Sequence, residues 1–540
     1  MKRLYLFMLL AVAGISQAFA QWNTNATPIC VYDASNRGDY YACNPLAVRT
    51  PDKKTWITWR TMGKKTINGI DRTAVRTFLQ LLDRNGVPQF DEPITVNDHI
   101  SPSWWSKYAL AVAADGSAIV TVADSRTSEE GITDEEINPG SFTPAIYKID
   151  QEGNFLWGLD GIEFSQFRDA PYTYCYVVGE DTYFVFFNTG NEYTSVIEGD
   201  EQKTIGEFIQ RINDDGTVAW DQPRKWADDF IPIQMVPTTD NELLLFDHCP
   251  DGARVHRLNS NFEEVWGEPV IYDDHKYDGY VMNPYEIVPD GEGGAAVAFV
   301  RTQGLFSHNI RVQHINADGS LGFGLTGLDA ANTEDNDYDY CGIAVNPKTQ
   351  EILVDFESQL ESSYDVMLQK FSYEGDYLFN ELGLSIASKD LLANVYAFGR
   401  VGIGAVDNGD WIVAYRDVSS YANMSFVIRR YNEDGKRLWT RTIGRDLDPS
   451  DITFLVEDNA TYMFYREKKS TKEPGIKIFR IAHDGSYNVE DDGTTGIDEV
   501  KPAATTRQYF SPDGKQFSQP QRGLNIVRTA DGNVRKQYHF

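Results

Sequence analysis

One pattern recurs eight times along this chain, and it limits the fold more than any other feature. A short β-rich run leads to a basic residue or Gln, another apolar residue and a polar turn with Gly. An aromatic follows four residues after the Gly. The copies run Phe78 to Gly86 with Phe90, Ile146 to Gly153 with Trp157, and Phe208 to Gly216 with Trp220. Next come Val255 to Phe262 with Trp266, Val312 to Gly319 with Phe323, and Met367 to Gly375 with Phe379. Val427 to Gly435 with Trp439 and Ile476 to Gly485 complete the set. The fourth copy carries Phe262 in place of Gly, and the eighth has no aromatic at the matching place. Asn or Asp before Gly supplies the positive φ of a tight hairpin turn. Alternating apolar residues ahead of it turn one strand face to a core. The aromatic at fixed register reads as a wedge between neighbouring units.

A second hairpin precedes each copy, as in Leu110 to Asp124 around Asp115-Gly116, and Val401 to Tyr415 around Gly409. Each unit therefore holds four antiparallel strands, which predicts an all-β fold. The expectation is a β-propeller of eight four-stranded blades, with seven as the alternative and a small C-terminal β-module. No stretch shows sustained helical periodicity. The expected layout is a signal peptide over 1–20, the propeller over 21–490, a linker over 491–506 and the module over 507–540. The last copy lacks its aromatic fourth strand, and the apolar strand Pro28 to Tyr32 is unclaimed. Pairing that strand into the eighth blade, against residues 476–481, would remove two free edges. The segment Asn432 to Trp439 resembles the tryptophan-docking motif of quinoprotein-type eight-bladed propellers. That resemblance speaks for fold, not quinone chemistry. The segment also looks like the Asp-box of sialidase-like propellers, where the Trp comes one residue sooner.

Lys2 and Arg3, the apolar run Leu4 to Ile15 and Ala18-Phe19-Ala20 make a signal-peptide pattern with cleavage before Gln21. No later segment is long and apolar enough to cross a membrane. The formal net charge of −31 argues against nucleic acid and anionic membrane surfaces as partners. Five cysteines, Cys30, Cys43, Cys175, Cys249 and Cys341, form neither a disulfide framework nor a zinc cluster. A Cys30–Cys43 disulfide is permitted by export but not required.

Residues 490–506 are acidic and then Pro/Ala/Thr-rich, as in a linker. Beyond them lie Tyr509-Phe510, Asp513-Gly514, Gly523-Leu524-Asn525-Ile526-Val527 and the basic end around Arg535-Lys536. This stretch resembles the C-terminal sorting tails of proteins exported by Bacteroidetes. The resemblance implies passage of an outer membrane by a type IX-like system, then release or surface attachment.

Catalytic motifs are absent: there is no HExxH, no GxSxG in the mature chain and no P-loop. His256 and His314 read as matching repeat positions on exposed strand faces, which points to structure. Asp335, Asp337 and Asp339 alternate as in a calcium loop but lack the Gly and distal Glu of an EF-hand, leaving calcium as the one candidate cofactor. Aromatics cluster before the first strand of several blades: Tyr40, Tyr41, Trp104, Trp105, Tyr172, Tyr174, Tyr280, Tyr340 and Tyr396. In a propeller these positions ring one mouth of the central channel, where flat rings stack on sugars or hold apolar groups of a partner. The alternative is ordinary packing between blades.

The leading expectation is therefore a secreted or outer-membrane surface propeller that binds a glycan or protein ligand without catalysis of its own. A polysaccharide hydrolase or lyase acting at the channel mouth is the second reading. A structural surface-layer component is the third. Oligomeric state is not encoded in any of these features.

Overall fold

A computed structural model describes residues 29–33, 41–67, 70–101, 106–126, 142–189, 205–228, 233–249, 252–274, 284–303, 307–331, 337–359, 363–390, 398–406, 408–420, 423–447, 449–457, 460–467, 475–487, 508–511, 515–517, 523–528 and 534–539. Among them every regular element is a β-strand. The chain divides into two compact units, Met1–Asn488 and Val489–Phe540.

The first unit is an eight-bladed β-propeller. Each blade is a four-stranded antiparallel meander. Blade 1 runs through Tyr41–Arg49, Thr55–Ile67, Ile70–Leu82 and Ile94–Ser101. Blades 2 to 7 begin at Leu110, Tyr172, Gln234, Pro284, Asp337 and Phe398 in turn. Blade 8 takes Pro449–Val456, Ala460–Glu467 and Gly475–Ala482, and its fourth strand is Ile29–Asp33. The first strands of successive blades neighbour one another around the channel, and blade 8 meets blade 1. Ring closure follows the sequence expectation: Ile29 pairs with Ile478 and Asp33 with Gly475. Tyr32 is buried and packs on blade 1, with ring centroids 5.1 Å from Trp59 and 5.7 Å from Phe78. The far end of the chain is thus tied to its beginning.

The recurrent turn does the wedging. Each aromatic of one blade docks on the Gly turn of the next. Trp157 Nε1 donates to the Asp214 carbonyl at 3.1 Å, Trp266 to Ala317 at 3.2 Å and Trp439 to His483 at 2.8 Å. Gly216 shows why the turn excludes a side chain. Its φ is +86°, and a Cβ there would lie 2.6 Å from Trp157 Cδ1. Blade 4 solves the problem differently: Phe262 adopts φ +63° and its own ring meets Trp220 edge-on at 5.3 Å.

A cationic latch runs beside five of the wedges. Lys148 reaches Asp214, Arg211 the Ser260 carbonyl, and Arg257 the Ala317 carbonyl. Lys370 donates to the Glu433 carbonyl at 2.6 Å and Arg430 to His483 at 2.5 Å. At the seam of blades 5 and 6 His314 takes this place, with Nδ1 3.2 Å from the Tyr373 carbonyl and Nε2 3.1 Å from Asp290 Oδ2. Burial therefore corrects the exposed assignment of both histidines: His314 is 2% exposed and His256 8%. Nor do they match. His256 lies against Trp226 of blade 3, whereas His314 lies against Tyr373 of the following blade. A one-residue offset on a strand reverses the face.

The second unit is a four-stranded sheet in the order Gln516–Phe517, Gln508–Phe510, Gly523–Arg528, Val534–His539. Among the described residues no disulfide is formed.

Candidate functional site

The meander gives the propeller two unlike faces. First-to-second and third-to-fourth connections share one face, and there the turns are short and bonded to one another across seams. Lys54 Nζ of blade 1, for example, donates to Gln151 Oε1 of blade 2 at 2.5 Å. This turn face is consumed by wedges and latches. Second-to-third connections and blade-to-blade crossings share the other face. They include the two longest intervals between strands within the propeller, Asp124 to Thr143 and Asn188 to Gly206. Function carried on loops held by a rigid scaffold belongs on that loop face.

The second strands show the difference residue by residue. Strand pairing aligns all eight, and every other residue faces the following blade. Nearest the turn face the row is Trp56, Ile119, Tyr183, Leu244, Ala296, Leu353, Ile412 and Tyr462, all buried and apolar. Two residues on it is Thr58, Thr121, Val185, Phe246, Ala298, Asp355, Ala414 and Phe464. Two residues further toward the loop face it becomes Arg60, Ala123, Phe187, His248, Val300, Glu357, Arg416 and Arg466. Apolar packing therefore gives way to ionisable groups within a span of five residues. These groups lie one strand, about 4.8 Å, behind the channel lining. First strands are also bulged toward this end, at Cys43/Leu46, Pro284/Glu286, Tyr338/Cys341, Arg400/Gly402 and Ser450/Thr453. Bulges of this kind concentrate beside functional sites, where they re-aim side chains.

Asp355 is the strongest anomaly in these rows. It is fully buried on the face toward blade 7, and neither carboxylate oxygen has a hydrogen-bond partner. Burial pushes its carboxyl up to about 7; the nearby Asp355 and Gly342 amides pull the other way without reaching hydrogen-bond geometry. Seven other blades fill the same place with Thr, Ala, Val or Phe, so the fold does not require a carboxylate there. Glu357 lies two residues on along the same face, roughly 7 Å away, and is also buried. A comparable anomaly occupies blade 3. Glu207 is fully buried, without a partner for either oxygen, and burial pushes it up to about 9. Its row across the sheet is Tyr172, Phe187, Glu207. Buried His248 of blade 4 is held down to about 4 by burial.

Arginines collect on the arc of blades 7, 8 and 1. Arg60 donates through Nη1 to Ser106 Oγ at 2.8 Å and lies 4.5 Å above the Tyr108 ring. Arg466 and Arg416 are partly buried. Among the described residues the Arg416 side chain makes no hydrogen bond, ion pair or ring contact, and its Nε is buried without an acceptor.

Of the sequence-predicted collar, Tyr172 and Tyr174 are described with their side chains. Both are partly buried on the face toward blade 4. Tyr174 packs in the cluster with Val185, Ile209 and Met235, and burial raises its hydroxyl to about 12. Tyr41 opens the first strand of blade 1, paired with Met62, and Tyr340 stands in the bulge of the first strand of blade 6. Tyr40, Trp104, Trp105, Tyr280 and Tyr396 lie outside the described residues. So does Asp335, while Asp337 pairs with Gln359 and Asp339 stands in that same bulge, opposite Glu357. Among the described residues no three metal-ligating side chains converge. Sequence reasoning missed Asp355, Glu207 and the arginines. Asp355 and the arginines depart from the repeat consensus, visible only when second strands are superposed by pairing, whereas Glu207 lies on a third strand and leaves no such mark.

No protein family matches the chain, and no curated protein matches it in sequence. Several solved structures superpose on it in part. A polysaccharide lyase, Uly1, superposes with a TM-score of 0.40 at 9% identity, over 86% of this chain and 93% of that one. A prolyl endopeptidase gives 0.37 at 11% identity over 80% of this chain, which spans 55% of the endopeptidase's length. A subtype N10 neuraminidase-like protein of A/little yellow-shouldered bat/Guatemala/060/2010 gives 0.32 at 9% identity, over 57% and 93%. These likenesses extend to the propeller and no further.

Proposed function

We propose that this protein is an exported or surface-attached propeller that binds a glycan or protein ligand at the loop-face mouth of its channel. The observation that carries the reading is the change along the second strands, from uniformly apolar at the turn face to ionisable in five of the eight blades at the loop face. A scaffold needs only the apolar row. The polar row costs stability, and local departures from a fold's own rules mark functional sites. The aromatics that begin the first strands would supply stacking surfaces beside it. The leader pattern and the sorting-like tail support export. A glycan array with the full chain tests this: selective binding, lost when loop-face residues such as Tyr172 are replaced, is expected. Absence of both binding and turnover would overturn it.

A polysaccharide hydrolase or lyase is the second reading, favoured by Asp355. A carboxyl held near 7 is poised to give and take a proton at neutral pH. Release of reducing ends, or of unsaturated sugars absorbing in the ultraviolet, that disappears in Asp355→Asn would establish it.

A further inference from the structure

We infer that the ligand of this mouth is an anionic oligosaccharide, bearing carboxylate or sulfate groups, and that Arg416 and Arg466 receive those groups. This rests on the loop-face reading above. The chain carries 80 acidic residues against 49 Lys and Arg. In such an excess a guanidinium finds a carboxylate easily, and many here do: Arg254 with Asp247 at 2.6 Å, Arg430 with Asp410 at 2.6 Å, Arg126 with Asp124 at 2.9 Å. Arg416 has no such partner among the described residues. Other arginines here also bury Nε without an acceptor, but those such as Arg211 and Arg429 anchor their other nitrogens on backbone carbonyls, which Arg416 does not.

Position completes the argument. Arg416, Arg466 and Arg60 occupy one register on three consecutive blades, 7, 8 and 1. The residues paired with them on the first strands are Gly399, Ser450 and Cys43. All three are small residue types. Guanidinium is the group suited to two-point recognition of a planar carboxylate or a sulfate. Sheets packed face to face lie about 10 Å apart. Arginines on successive blades thus suit a polymer with one anion per disaccharide. An extended peptide repeats its side chains on one face at roughly 7 Å, a poorer match. A protein with net charge −31 repels anions at long range, so selectivity must come from this short-range arc.

Calorimetric titration of the full chain tests the inference, using a hyaluronan hexasaccharide, a keratan sulfate oligosaccharide, neutral chitohexaose and a poly-glutamate peptide. The carboxylated or the sulfated sugar should bind at least tenfold more tightly than the neutral one, and which of them does so identifies the anion. R416Q and R466Q should each weaken that binding about tenfold or more. R416Q should leave the thermal midpoint unchanged or raise it, because Arg416 makes no contact to lose. Equal affinity for chitohexaose, or unaltered binding in both variants, overturns the inference. Loss of that neutral binding in Tyr172→Ala would still uphold the mouth as the binding face. Preference for the peptide overturns the choice of a glycan. No binding of any probe overturns both.

Discussion

Replacing Asp355 by Val should stabilise the protein at neutral and alkaline pH. In the unfolded chain the carboxyl ionises near its ordinary 3.8, whereas burial holds it up to about 7 in the fold. Between those values the folded state binds a proton that the unfolded state has released, so rising pH favours unfolding. Below 3.8 there is no cost, and above about 7 the cost is complete. A gap of about three units, at about 1.4 kcal/mol each, makes it roughly 4 kcal/mol. Val is close in volume and already fills the equivalent place in blade 3 as Val185, buried. Scaled by unfolding entropy per residue, a domain this long shifts by about 1 °C per kcal/mol, so the midpoint should rise roughly 3–4 °C. Scanning fluorimetry of wild type and variant at pH 3.5 and pH 8 reads it directly. A gain at pH 8 that vanishes at pH 3.5 is expected. A variant less stable at pH 8, or equally improved at both, would refute an uncompensated carboxyl.

Further expectations concern the ring itself. Trp439→Ala removes the indole from the Gly485 turn and its bond to the His483 carbonyl. It should cost about 3 kcal/mol and raise hydrogen exchange in blades 7 and 8 first. Tyr32→Ala empties the contact of the closing strand with Trp59 and Phe78, and limited proteolysis should then cut between residues 29 and 41 well below the global midpoint. Asp290→Asn takes away the anion beside His314, whose carboxyl lies below the ordinary Asp range although burial opposes this, because His314 and the Glu292 and Gly294 amides bond to it. A depressed carboxyl stabilises above its unfolded pKa and loses that contribution as pH falls through the folded one. The variant's deficit, about 1–3 kcal/mol at pH 7, should therefore shrink in acid, as read from denaturant midpoints.

Blade number, docking aromatics and ring closure were legible in the sequence because each rests on local chemistry. Gly216 must be Gly and Trp157 must reach it, so a fixed spacing survives in every blade that uses them. Closure was legible by elimination: Ile29–Asp33 had no blade of its own and the eighth blade lacked a strand. The ionisable rim was not legible. Arg416 and Arg466 both stand 19 residues before their turn glycines, but Arg60 stands 26 before Gly86, because its second and third strands run longer, so spacing from the turn does not align all three. Only backbone pairing brings them into line. The two histidines failed for a related reason. His256 and His314 are one place apart in the repeat, and one place on a strand is the opposite seam. Buried orphans such as Glu207 leave no sequence signature, since their oddity lies in what fails to surround them.

The account stands on the loop face being the working face. Hydrogen–deuterium exchange of the full chain, with and without the tightest oligosaccharide from the array, examines that directly. Protection should appear at the loop-side ends of the strands around Arg60, Arg416 and Arg466, with the Gly turns at 86, 216 and 435 unchanged. Protection confined to those turns, or spread evenly over all eight blades, would contradict it.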